Sequence, residues 1–274
     1  MPYISTGDGA SVYYEDSGDG PPLVLIHGWG CTPRFFTRNT DPLSKQVRVI
    51  NMALRGHGPS ESVSYGHRIS RYAADLRDLL AALDIVDATV LGWSMGAAVI
   101  WSHYELFGDE RMKKMIIVDQ SPRQYAVPGG QDWQGIQVGC YDAESLAVLR
   151  TMLALDSRAS AEGIVHACFP AGSAPSQDEI DFFAGEIETT PGQVRADIMT
   201  DHTNLDWRDI MSRIRIPALV IVGEKSLIWG PGGAEYPAHH IPDARIERFA
   251  KSGHMPFYHE PDKFNRVVAE FTRS

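Results

Sequence analysis

Short runs of aliphatic and β-branched residues recur along the chain, separated by stretches with helical period, and that alternation leaves few folds open. The runs are Leu23-Val24-Leu25-Ile26, Val47-Arg48-Val49-Ile50, Ala88-Thr89-Val90-Leu91, Met115-Ile116-Ile117-Val118 and Ala218-Leu219-Val220-Ile221-Val222. A run that is apolar throughout, rather than at every second position, must be covered on both faces, as strands of a parallel sheet are. Residues 72–83 place Ala73, Leu76, Leu79, Leu80 and Leu83 at helical spacing, and residues 96–106 share that period. The pattern predicts an α/β fold: a mostly parallel open sheet with helices on both faces.

From about residue 122 to residue 203 the strand signal stops. Residues 142–155, 157–168, 177–188 and 193–202 read as helices, with turn-rich breaks at Pro170 to Pro175 and at Thr189 to Gly192. Strand patterning resumes after Ile216-Pro217. Residues 1–121 and 204–274 are therefore expected to form the core and residues 122–203 an inserted helical cap. Ligands of open α/β sheets bind at the carboxyl ends of the strands, and a lid is expected there.

At 274 residues a large core is available. The net charge of −10 argues against nucleic acid, whose phosphates need clustered Lys and Arg. No apolar signal-peptide region opens the chain and no apolar stretch is long enough for a membrane helix, so a cytoplasmic protein is expected, without a membrane partner. Cys31, Cys140 and Cys168 show neither disulfide nor metal spacing and read as free thiols. Neither a cofactor nor a metal is expected. The oligomeric state is not legible.

Gly92-Trp93-Ser94-Met95-Gly96 fits G-x-S-x-G. The pattern alone is weak, but here a predicted strand runs in and a predicted helix runs out. Such a sharp turn strains the backbone at Ser94 and presents its hydroxyl at the top of the sheet, beneath a helix N-terminus. A serine hydroxyl is a poor nucleophile until a base takes its proton. His254 follows Gly253 in a loop between a last strand candidate, residues 245–249, and a C-terminal helix, residues 261–271, so it comes last in the order nucleophile, acid, base. His27-Gly28-Trp29-Gly30 follows the first core strand, where the Trp29 N–H can pair with the Met95 N–H to hold an oxyanion.

The chain resembles the α/β-hydrolase superfamily from about Tyr13 to Phe271. The likeness is carried by His27-Gly28, Arg55-Gly56-His57-Gly58 followed by Ser60, the turn at Ser94, Ile216-Pro217 followed by Leu219, and Gly253-His254. Those motifs are specific for the fold and less so for the reaction. The resemblance implies a triad acid after the strand that ends near Val222, in a Gly-x-x-Asp pattern, and there the sequence departs: it reads Gly223-Glu224-Lys225-Ser226. A hydroxyl cannot stabilise imidazolium as a carboxylate does. Asp119, at the end of the strand 115–118, is the leading substitute, because some relatives carry their acid there. Glu224 is second, and the absence of any acid is third. Ala53 also stands where relatives often show Asp, a position that is usually structural.

The expected function is that of a serine hydrolase: Ser94, His254 and Asp119 cleave a carboxylic ester, linear or lactone, through an acyl-enzyme, with thioesters open to the same machinery. Trp93, Tyr125, Trp133 and Trp229, with Phe169, Phe182 and Phe183, suggest a small apolar or aromatic ester, although aromatics in a lid are equally ordinary packing. A haloalkane dehalogenase is nearly excluded, because its nucleophile is a carboxylate. A cofactor-free dioxygenase of the same fold and a non-catalytic ligand-binding protein are the alternatives.

Overall fold

Eight strands join in one sheet: β1 (Tyr3–Ser5), β2 (Ser11–Ser17), β3 (Pro22–Ile26), β4 (Arg48–Met52), β5 (Ala88–Trp93), β6 (Met112–Val118), β7 (Ala218–Gly223) and β8 (Ala244–Phe249). The computed structural model describes residues 2–126, 142–155, 157–229 and 232–274. The spatial order is β1-β2-β4-β3-β5-β6-β7-β8. Strands β3 to β8 run parallel, whereas β2 is antiparallel to both β1 and β4. The sheet is mostly parallel and open, with helices on both faces, as the apolar runs require.

Successive residues on each central strand enter opposite cores, the period of two that a strand imposes. Val24, Ile26, Val90, Met115, Ile117 and Val220 join the cluster packed with the helices Ile69–Ala82 and Met95–Phe107. Leu23, Leu25, Leu91, Ile116, Val118 and Leu219 join the other, with Phe264, Val268 and Phe271 of the helix Pro261–Arg273. Every residue of β5 and of β7 is buried.

Two elements depart from the expectations above. The β1–β2 pair was not legible, because β2 reads Ser-Val-Tyr-Tyr-Glu-Asp-Ser and buries only Val12 fully. Strand β6 begins at Met112, three residues before the apolar run. Lys113 and Lys114 hide its start, and Lys114 is buried with its Nζ donating to the Phe271 carbonyl at 2.8 Å.

Between β6 and β7 the described residues form the helices Ala143–Leu155, Ser157–Cys168, Gln177–Glu188 and Gly192–Thr203. Arg123 and Asp206 pair as an isolated antiparallel bridge, and the Trp207 N–H donates to the Pro122 carbonyl at 2.9 Å. The two ends of the insert are thereby clamped together. The insert meets the core at Gly253, where an added Cβ would come within 2.6 Å of the Phe169 carbonyl carbon.

The chain passes from β3 outward to β4, then returns to place β5 on the other side of β3. That reversal opens a crevice at the carboxyl ends of β3 and β5, the place where open α/β sheets bind ligands. Two glycines hold the crevice closed at its base. A Cβ at Gly92 would lie 2.3 Å from the Gly96 carbonyl carbon, and one at Gly96 would lie 2.4 Å from the Ile26 carbonyl oxygen. Backbone blocks both, so neither clash can be relieved by a rotamer. Gly96→Ala should therefore lower stability by about 1–3 kcal/mol or more, the range of an overpacked core. Gly163, exposed on the helix Ser157–Cys168, has nothing within 4 Å of its would-be Cβ, and Gly163→Ala should raise stability by about 0.5–1 kcal/mol. Thermal melts of the two variants beside the parent check both signs.

Buried histidines add a dependence on pH. Burial holds His27 down to about 4 and His202 down to about 3, and it lowers His57 as well. These rings fold neutral, whereas in the unfolded chain they take up a proton near pH 6.5. The unfolded state therefore binds more protons below pH 6.5, and stability must fall as the pH drops from 6.5 toward 3. Each such ring steepens the slope by roughly 1.4 kcal/mol per pH unit. Denaturant titrations across that range should show the decline, and His202→Leu should flatten it.

Candidate active site

Ser94 ends β5 and opens the helix Met95–Phe107 with φ 53° and ψ −126°. A non-glycine residue at positive φ carries strain that persists only when its surroundings enforce it. The enforcing contacts are those of Gly92 and Gly96. Gly28 lies against the same residue: a Cβ there would sit 3.2 Å from the Ser94 Cβ and against the Trp93 ring. The loop after β3 therefore runs directly beside Ser94. Met95 is the first residue of its helix, so its N–H is one of those without a partner inside the helix.

His27 pins that loop. Its Nε2 accepts from the Leu54 N–H at 3.0 Å, so its Nδ1 carries the hydrogen and donates to the Gly28 carbonyl at 2.8 Å. The Trp29 indole N–H donates to the Arg195 carbonyl of the insert at 2.8 Å, leaving the ring along the cavity wall.

His254 Nδ1 donates to Asp119 Oδ2 at 2.6 Å, with both side chains buried. Asp119 follows β6 with φ 46°, and its own N–H donates to the Ile221 carbonyl of β7 at 2.8 Å. Its carboxylate also accepts from the Gly223 N–H at 3.2 Å and from the Ser226 hydroxyl at 2.7 Å. The Trp229 indole donates to the Asp119 carbonyl at 2.7 Å. On the far side, His254 is held by its backbone: its N–H donates to the Cys168 carbonyl at 3.0 Å, and its carbonyl accepts from the Trp93 indole at 2.8 Å. Glu224 is exposed and directs its N–H to the Phe249 carbonyl, so Asp119 is the carboxylate that meets the imidazole.

Ser94 and His254 line one cavity with about 80 Å³ open to the centres of water-sized atoms. Gly28, Trp29, Trp93 and Trp229 supply the core side of its wall, and Ile164, Ala167, Cys168 and Met199 the insert side. Among the described residues its lining holds no Lys, Arg, Asp or Glu. Burial pushes the Cys168 thiol up to about 12, so it stays neutral.

The substrate-contact expectations divide. Trp93 and Trp229 line the cavity. Tyr125 does not: in the extended segment that bridges to residue 206, neighbouring side chains point to opposite sides, and Gln124 takes the inner one. The Tyr125 ring lies beside the Arg123 guanidinium instead. Trp133 and Cys140 lie outside the described residues. Phe169, Phe182 and Phe183 pack against Tyr258, against one another and against Phe35, which is core packing rather than cavity lining. The sequence reading missed Ile164, Ala167 and Cys168, although their spacing of three and four marks one face of a helix.

Residues 21–261 match the family model described as alpha/beta hydrolase fold. The chain is 28% identical to the non-heme chloroperoxidase CPO-A1 of Kitasatospora aureofaciens, over 99% of each chain. It is 27% identical to a pimeloyl-[acyl-carrier protein] methyl ester esterase of Chromobacterium violaceum, over 95% of this chain and 97% of that one. Among solved structures, an esterase from Exiguobacterium antarcticum superposes with a TM-score of 0.90 at 23% identity, over 99% of both chains.

The geometry bears on reactivity before any substrate is known. A fluorophosphonate should label Ser94. Asp119→Asn should slow labelling by about 10²–10⁴-fold, because the imidazolium loses its countercharge and its tautomer is no longer fixed. Glu224→Gln should slow it by less than about tenfold. Equal slowing in both variants, with folding verified by circular dichroism, would contradict the assignment of Asp119.

Proposed function

The chain belongs to the alpha/beta hydrolase family, and from that premise we propose that it hydrolyses a small, uncharged carboxylic ester through a serine acyl-enzyme. The observation that carries the reading is the 2.6 Å contact between His254 Nδ1 and Asp119 Oδ2, beside a cavity that Ser94 shares with His254. Ser94 Oγ attacks the ester carbonyl while His254 takes its proton. Asp119 holds the Nδ1 proton and balances the imidazolium charge. The N–H groups of Met95 and Trp29 stabilise the oxyanion as it forms. His254 then returns the proton to the leaving alcohol, and a water activated by the same ring resolves the acyl-enzyme.

The wall of tryptophans and aliphatic side chains, uncharged among the described residues, favours an ester whose buried end carries no charge. The insert acts as the lid: its helix Ser157–Cys168 closes the cavity over Ser94. Likeness along the whole chain to a protein named a chloroperoxidase gives a second reading, peroxide-dependent halide oxidation, to be assayed beside ester turnover.

With short-chain nitrophenyl esters, Ser94→Ala should reduce kcat/KM by at least about 10³-fold while leaving the circular dichroism spectrum unchanged. Ester turnover surviving in that variant would remove Ser94 from the mechanism.

A further inference from the structure

Asp119 Oδ2 accepts two hydrogen bonds: one from His254 Nδ1 at 2.6 Å and one from Ser226 Oγ at 2.7 Å. The hydroxyl is held in place, because the Ser226 N–H donates to the Gly223 carbonyl at 3.0 Å and the Ile228 N–H reaches the Ser226 oxygen at 3.5 Å. A hydroxyl has one proton, and the carboxylate takes it. Ser226 does not line the cavity that holds Ser94. It lines a separate, more polar depression with Asp119, Glu224 and Glu235, behind the carboxylate.

We propose that Ser226 is a positioning residue, whose hydroxyl shares the oxygen that holds His254 and so sets the pH at which the ring becomes free to act as a base. The inference rests on the ester-hydrolase reading. A donor to a carboxylate spreads its negative charge and weakens its hold on a neighbouring cation. In the resting state the ring is neutral and Ser226 stabilises the lone carboxylate. In the transition state the ring is cationic, and the same hydroxyl tempers the attraction between imidazolium and Asp119. Loss of the hydroxyl leaves the buried carboxylate with fewer donors and a stronger hold on the protonated ring. The ring then keeps its proton to higher pH.

Other titratable groups near the pair do not supply this control. From the insert, Cys168 faces Asp119 as a neutral thiol, and from the loop after β3, Cys31 lines the same cavity, its thiol likewise pushed up by burial. In the depression behind, Glu235 is held by Arg248 at 3.0 Å and lies 3.6 Å from His239, while Glu224 is exposed. Ser94, Trp93 and Trp229 complete the surroundings of the ring, and none of them carries a charge.

The test is the pH profile of kcat/KM for a neutral nitrophenyl ester in Ser226→Val, Ser226→Thr, Ser226→Ala and Asp119→Asn. Val and Thr have nearly the same shape and differ in the hydroxyl. Ser226→Val should move the acid limb up by about half a pH unit to one unit. Ser226→Thr should leave it where the parent has it. Because Ser226 lies outside the ester cavity, KM should stay within about twofold and the plateau of kcat should fall by less than about tenfold. If Ser226→Val does not fold, Ser226→Ala carries the same expectation. An unmoved limb in Val or Ala overturns the proposal, as does an equal shift in Thr. If Asp119→Asn turns over ester like the parent, the catalytic reading fails and this inference falls with it. A crippled Asp119→Asn beside an unmoved Ser226→Val limb rejects the inference alone.

Discussion

The site is organised by a place where two backbones leave no room for a side chain. Gly92 and Gly96 bracket Ser94, and each would drive a Cβ into main-chain atoms, those of Gly96 in one case and of Ile26 in the other. With β3, β5 and the helix Met95–Phe107 this close, the chain can pass from strand to helix only through a residue at positive φ. Ser94 is that residue, and the strain is met by burial of every residue of β5. Closeness also brings the loop after β3 to the nucleophile, because Gly28 rests on Ser94. Two backbone donors thus converge from elements far apart in sequence.

The position of the acid follows from the sheet. Strands β6 and β7 are parallel neighbours in register, Val118 beside Ile221. The turns that leave them therefore emerge side by side, facing the loop that carries His254. A carboxylate on either turn can reach the imidazole. Here Asp119 supplies it from β6, and the residue at the corresponding place after β7, Ser226, turns its hydroxyl onto the same oxygen. The serine at that place does not break the triad. It is a partner of the acid on the neighbouring strand.

This division also explains what could be read from the chain and what could not. The central strands and the turn at Ser94 were legible because both depend on local patterning: apolar runs in one case, glycine spacing in the other. His254 was legible from its place after the last strand. The choice between Asp119 and Glu224 was not, because it turns on the register of strands about a hundred residues apart, which no local pattern records. The edge strand β2 buries too little to announce itself, and Lys114 concealed the start of β6 by burying a charge among backbone carbonyls. The cavity wall was the least legible part. Aromatics of the insert serve the core at Phe183 and Phe169, while the wall is made by Ile164, Ala167 and Cys168, residues with no chemical signature of their own.

The insert does more than cover the cavity, because it shares the task of placing the base. The Cys168 carbonyl fixes the His254 N–H, the Ala171 N–H donates to the Lys225 carbonyl at 2.9 Å, and Gly253 is pressed against Phe169 and Pro170. The helix that shapes the ester cavity through Ile164 and Ala167 thus ends at the atom that positions the imidazole. A movement of that helix wide enough to admit a larger substrate would pull on the His254 loop as well. The Trp93 indole holds the same loop from the core side, through the His254 carbonyl. Access and basicity are therefore mechanically linked, and substitutions that enlarge the cavity at Ile164 or Ala167 can do so without disturbing the base only if the Cys168–His254 hydrogen bond is kept.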